Sequence, residues 1–136
     1  MACKREKTLW KWFSLYIRLR DCVDYGFANC ITCGKAYGYK EMDAGHFIPQ
    51  KNNYNTVYEE TNVHAQCKSC NDYGHGEVAK YREAIIERYG IEELARLEDL
   101  AKMPAKKMLL CDVEAKSAYY RQKAKDEAYR NGIEIK

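Results

Sequence analysis

Cys30-Ile31-Thr32-Cys33-Gly34, answered by Cys67-Lys68-Ser69-Cys70-Asn71, decides the fold of this chain. Thiolates two residues apart reach one ion, and two such pairs complete a tetrahedral Zn2+ site with no open position. The doubled spacing therefore predicts a structural zinc held by Cys30, Cys33, Cys67 and Cys70. Gly34, behind the second thiol, suits a knuckle turn that needs a permissive residue and close backbone approach. A closed zinc site does no hydrolysis, so any reaction must take place beside it. Between the pairs lie Asp43-Ala44-Gly45-His46-Phe47-Ile48-Pro49 and Asn62-Val63-His64, and Asn71 follows the last cysteine directly.

Working outward, 136 residues are enough for one domain with a helical extension. The expected division is a zinc-stabilised domain over 1–103, including an N-terminal helix, and a helical extension over 104–136. The region between the cysteine pairs is poor in aliphatic residues, so a metal staple would help it fold. No apolar run approaches the roughly 20 residues of a membrane span, and the charged N-terminus does not look like a secretory signal. Seven cysteines is an odd number. A reducing cytoplasm with four cysteines on metal fits better than a disulfide framework. Cys3, Cys22 and Cys111 are left over, the last two read as small hydrophobes on helix faces. A net charge of +3 does not establish a nucleic-acid partner. The cluster Lys4, Arg5, Lys7, Lys11, Arg18 and Arg20, against Glu6 alone, either sits on phosphates or is a solvated helix face.

Apolar residues at helical spacing predict a first helix over 8–23, with Trp12 and Phe13 in the core. Residues 39–48 suit a strand entering a hairpin, residues 51–55 a loop, and residues 57–65 a returning strand. A short helical turn is expected from Cys67, then helices over 77–89 and 91–101, and a last helix opened by Pro104 and running to about Arg130. That last helix, sparse in large apolar residues, either projects from the core or pairs with a partner. The interval between the cysteine pairs is longer than in a zinc ribbon and leaves room for a hairpin between knuckle and helix. This is the treble-clef arrangement.

His46-x2-Pro49 followed by Asn62-x4-Cys67-x2-Cys70-Asn71 resembles the HNH (ββα-metal) nuclease motif, in a His-Asn-Asn variant. The match is closer still to the phage NinG/Rap recombination proteins. It rests on Tyr16 to Asp21, Cys30 to Gly34, Ala44 to Phe47, Asn62 to Cys67, Cys70-Asn71 and Gly76 to Arg82, and covers roughly residues 10–100. The resemblance implies an α+β fold: a treble-clef, zinc-bound, HNH-like core flanked by N- and C-terminal helices, mostly helical overall. It also implies a structure-selective DNA endonuclease acting on branched recombination intermediates such as Holliday junctions and D-loops, in the bacterial host cytoplasm if phage-encoded.

The residues suit those roles chemically. His46 titrates near neutrality and can serve as general base toward water. A hard ion, Mg2+ or Mn2+, prefers oxygen ligands, and Asn71 offers one. HNH enzymes commonly place a metal ligand immediately before the histidine, where this chain has Gly45. Asp43 shares a strand face with position 45, so Gly45 would leave room for its carboxylate to reach the ion; the alternative is an ordinary surface aspartate. Asn62 is expected to pin the loop and orient His46 rather than touch metal. His64 is either an outer contact of the site or a structural histidine. His75 is expected to be exposed and Tyr81 to be core. Arg82, with Arg18 and Arg20, is a candidate phosphate contact. Paired cleavage of a junction needs two active sites, so a homodimer is the expected assembly. The rival reading is a non-catalytic zinc module that binds DNA as a recombination accessory; a third is a protein-interaction treble clef that uses the C-terminal helix.

Overall fold

The computed structural model describes residues 4–52, 54–75 and 77–135; Cys3 and Gly76 lie outside them. Helix α1 (Lys4–Arg20) leads into three short antiparallel strands, β1 (Cys22–Asp24), β2 (Phe27–Asn29) and β3 (Ala36–Gly38). The knuckle turn lies between β2 and β3. A second, two-stranded ribbon pairs β4 (Met42–His46) with β5 (Val63–Cys67). A π-helical turn over Ser69–Tyr73 follows, then α2 (Val78–Tyr89), α3 (Ile91–Lys102) and α4 (Leu110–Arg130). The fold is thus α+β, with helices around two small sheets.

The ribbon is the centre of the molecule. Side chains alternate across a strand, and every residue of β5 is buried, so both of its faces are covered. One face carries Ala44, Val63, Met42, Ala65 and Cys67 and packs under α1, with Leu9, Phe13, Ile17 and Leu19 fully buried. The other carries His64 and Gln66 and meets Tyr81 of α2. A third core joins α2 and α3 through Tyr81, Ile85, Leu94 and Leu97, with Phe47 against them. Helix α4 lies along α1, burying Val113, Tyr120 and Ala124. It does not project from the core.

Several boundaries differ from those expected. Helix α1 stops at Arg20 because Cys22–Asp24 turns into a hairpin with β2, which leaves Val23 exposed and Cys22 buried on a strand. The returning strand begins at Val63, since residues 54–62 form tight turns held by Asn62. Residues 104–109 have no regular secondary structure, and α4 begins only at Leu110. Cys111 faces solvent rather than a core. Among the described residues, no helix is long and apolar enough to cross a membrane.

Candidate functional site

The four cysteine sulfurs lie within 4.8 Å of one another, with Cys33 Sγ 3.8 Å from Cys67 Sγ. Tetrahedral bonds of about 2.3 Å to zinc place sulfurs about 3.8 Å apart, so the cluster fits the ion. Local structure brings it together. Gly34 adopts φ +79, in the left-handed region open to glycine, and its amide donates to the Cys30 carbonyl at 2.8 Å, closing the knuckle. The Ile31 amide donates to the Ala65 carbonyl at 3.1 Å and ties the knuckle to β5. Cys67 ends β5 and Cys70 lies in the π-helical turn, so one ion would clamp knuckle, ribbon and turn.

Beside this cluster runs a cleft of about 750 Å³ along the free edge of β4. Trp10, Ser14 and Arg18 of α1 form one wall; Asp43, Ala44 and His46 form the floor, and Lys51, Asn71 and His75 close the far side. The ribbon's other edge is covered. The Ala65 amide donates to Asp21 Oδ2 at 2.8 Å, its carbonyl accepts from Ile31, and the Val63 carbonyl accepts from Arg20 at 2.9 Å. Since those groups of Ala65 point outward, the opposite residue Ala44 also points its amide outward, toward the cleft.

His46 is half-buried and stacked on Trp10, ring centroids 5.1 Å apart. Its Nε2–H donates to the Val57 carbonyl at 3.0 Å. A carbonyl only accepts, so Nε2 must carry the proton. Burial lowers the pKa of the ring, and the neutral form then keeps its lone pair on Nδ1. Asn62 is fully buried and fixes the loop that carries this carbonyl. Its Oδ1 accepts from the Ile48 amide at 2.9 Å, and its Nδ2 donates to the carbonyls of Ile48 at 3.2 Å and Thr56 at 3.0 Å. It makes these contacts on the backbone, away from the cleft lining.

Asp43 and His46 spring from opposite faces of β4 and share only the space over its edge. Asp43 accepts from Asn71 Nδ2 at 3.0 Å and from Lys68 Nζ at 2.8 Å. The room expected over Gly45 is filled. A β-carbon there would stand 2.1 Å from Gln66 Oε1 and 3.1 Å from Asn71 Oδ1. The reason is register: Gln66 pairs with Asp43, on the same face and one step diagonally from Gly45.

The other expected site residues divide. Arg18 lines the cleft, its Nη1 donating to the Tyr39 carbonyl at 3.0 Å and its Nε to Ser14; burial lowers its pKa. Arg20 turns inward, onto Asp21 and the carbonyls of Glu60 and Val63. Arg82 is exposed on α2 beside Glu98 and outside the cleft lining. His75 is exposed. His64 is fully buried, within 3.1 Å of the Tyr81 hydroxyl through Nδ1 and 2.7 Å of the Tyr89 hydroxyl through Nε2. Tyr81 gives its only proton to the Gly45 carbonyl at 2.6 Å, so His64 donates from Nδ1 and accepts at Nε2. Burial pushes the His64 pKa down to about 3, and the neutral ring braces β4 next to His46. Sequence reasoning passed over Trp10, Lys51 and Gln66. For Gln66 a signal existed: in Asn62-x-His64-x-Gln66 it follows the i, i+2 face of β5.

A family model described as "Bacteriophage Lambda NinG protein" matches residues 3–131. Protein ninG of Salmonella phage P22 is 34% identical over 97 residues, which is 71% of this chain and 46% of that protein. Protein ninG of Escherichia phage lambda is 31% identical over 97 residues, with the same two coverages. The chain spans about half the length of the curated relatives it matches. No solved structure matches it significantly. With the family model matching almost from end to end, the chain belongs to the NinG family of bacteriophage proteins.

Proposed function

We propose that the chain is a metal-dependent DNA endonuclease of phage recombination, with an HNH-like, treble-clef core, acting on branched DNA such as a Holliday junction or D-loop. The observation that carries the reading is one cleft holding a neutral imidazole with its free lone pair on Nδ1, an arginine and oxygen donors, beside a closed cysteine cluster. A pure binding finger has no use for such a base.

In this reading His46 Nδ1 takes the proton from the attacking water, while the Val57 carbonyl and the Trp10 ring hold the imidazole in its tautomer and orientation. Arg18, Lys51 and the Ala44 amide, which line the cleft, would meet phosphate oxygens. Asp43 and Asn71 would hold Mg2+ or Mn2+, a carboxylate and an amide being hard oxygen donors that suit either ion. Such an ion, when bound, neutralises charge on the phosphate and leaving oxygen. Arg20 is assigned to bracing β5, and Asn62 and His64 to positioning His46. A homodimer in the bacterial cytoplasm, able to cut both strands of a junction, completes the proposal.

The test is a labelled four-way junction and a matched duplex incubated with the protein, with and without Mg2+, alongside His46→Ala. Metal-dependent nicking that disappears in the variant is expected. Tight binding with no cleavage under any divalent metal would replace the enzyme with a DNA-binding accessory module.

A further inference from the structure

Trp10 serves two cavities. Its ring stacks on His46 in the cleft, and it also lines a neighbouring cavity of about 570 Å³ together with Tyr54, Val57 and Tyr58. Gln50 belongs to both linings, so cavity and cleft adjoin. The rings of Trp10 and Tyr58 stand 6.3 Å apart at 56°, and Tyr58 is fixed edge-on against Phe13 at 5.4 Å. The width of an indole thus separates His46 from Tyr58, which is the reach of a nucleotide or two along a DNA strand. Trp10, Tyr54 and Tyr58 are each half-buried, so they are held in place and still offer ring surface. Lys7 and Lys107, both exposed, line the same cavity. Glu6, also in the lining, is more than nine-tenths buried and accepts from the Tyr54 hydroxyl at 2.5 Å. An ionised carboxylate only accepts and has sites for several donors, so Tyr54 does not saturate it. Aromatic surface for a base, cations for phosphates and a buried acceptor for an amino group together match one nucleotide outside a double helix.

We propose that this cavity takes the base of an unpaired nucleotide adjoining the phosphate in the cleft, held among Trp10, Tyr54 and Tyr58 with its amino group on Glu6. A base inside a duplex is shut in its stack and cannot enter without being extruded, whereas a branch point supplies unpaired bases at no such cost. The cavity then provides the preference for branched over linear DNA. Thymine should fit worst, because its one N–H is flanked by two carbonyl oxygens that face the carboxylate. The inference rests on the reading of the cleft as a nuclease site, and its test separates the two.

Binding of the zinc-loaded full chain to a forked DNA with two single-stranded arms is measured by fluorescence anisotropy, without Mg2+ or Mn2+. Each unpaired nucleotide beside the fork is replaced in turn by an abasic residue. At one position the loss of the base should weaken binding by about tenfold, the effect of one lost stacking contact. Tyr58→Leu and Tyr54→Leu should weaken binding of the intact fork comparably and become indifferent to the abasic change at that position. Thymine there should bind several-fold less tightly than guanine or cytosine. Glu6→Gln, whose amide both donates and accepts, should erase that difference. If a tyrosine variant does not fold, the abasic series and the thymine comparison on the unmodified protein decide. Affinities within twofold for every abasic fork, or an undiminished abasic effect in both tyrosine variants, overturn the base site. If such forks are nevertheless cut once Mg2+ is added, the nuclease reading stands without it. Base-dependent binding with no cleavage under any divalent metal supports the base site and overturns the nuclease, and no binding of DNA at all overturns both.

Discussion

Asn62→Ala should be among the most damaging single substitutions outside the cysteine cluster. The side chain is fully buried and makes three hydrogen bonds to backbone, one as acceptor and two as donor. Alanine leaves the Ile48 amide without its acceptor and takes one donor from each of the Ile48 and Thr56 carbonyls, the latter keeping the Glu59 amide at 3.3 Å. A buried group left without its partner costs roughly 1–3 kcal/mol, and with the Ile48 groups only partly buried and the Thr56 carbonyl still served once the total comes to about 3–4 kcal/mol. With an unfolding entropy of about 2.1 cal/mol/K per residue, that loss lowers the melting temperature by roughly 10–15 °C. Asn62→Asp gives the stricter comparison. It keeps an acceptor for the Ile48 amide but aims a buried carboxylate at two carbonyls, so at pH 7 it should destabilise at least as much as alanine. It should recover partly in acid, as the carboxylate takes up a proton. Thermal and urea unfolding followed by circular dichroism, with zinc in excess, measures both. Melting of Asn62→Ala within about 2 °C of the unmodified protein would refute the reasoning. So would Asn62→Asp proving the more stable of the pair at pH 7.

Three shorter predictions follow from the rest of the site. One zinc per chain is expected by metal analysis; Cys67→Ser or a strong chelator should release it and abolish cooperative unfolding, because the ion joins knuckle, β5 and π-helical turn. His64 should make stability pH-dependent. Its folded pKa of about 3 lies below the usual 6.5, so between those values only the unfolded chain takes up the proton. Its contribution is therefore intact above pH 6.5 and declines as pH falls, by about 1.4 kcal/mol for each pH step. His64→Gln should flatten the profile between pH 6.5 and 5.5, and parallel profiles would count against it. Arg18→Ala should weaken junction binding and lower its salt slope by about one, whereas Arg82→Ala, outside the cleft, should leave both unchanged in a salt titration.

The four-cysteine cluster was legible from spacing alone, because the geometry of a tetrahedral thiolate site dictates which cysteines can share an ion. The helices could be read from apolar periodicity for a similar reason, since each buries a stripe of its own surface. Family membership also followed from linear motifs. Periodicity could not say what α4 lies against, because the covering helix, α1, is some hundred residues away in sequence. Arg20 illustrates the same limit. In the sequence it belongs to a basic cluster, and only the fold turns it onto the carbonyls of Glu60 and Val63.

By itself, the sequence determined the cysteine clamp, the α+β composition and the residue types that make a hydrolytic site conceivable. Tertiary structure alone decided the tautomer of His46, through a carbonyl eleven residues away, and the neutrality of His64, through its burial. It also decided what fills the room over Gly45. Strand register sets that, and register depends on which faces of the ribbon are buried, a property that no local stretch of sequence carries.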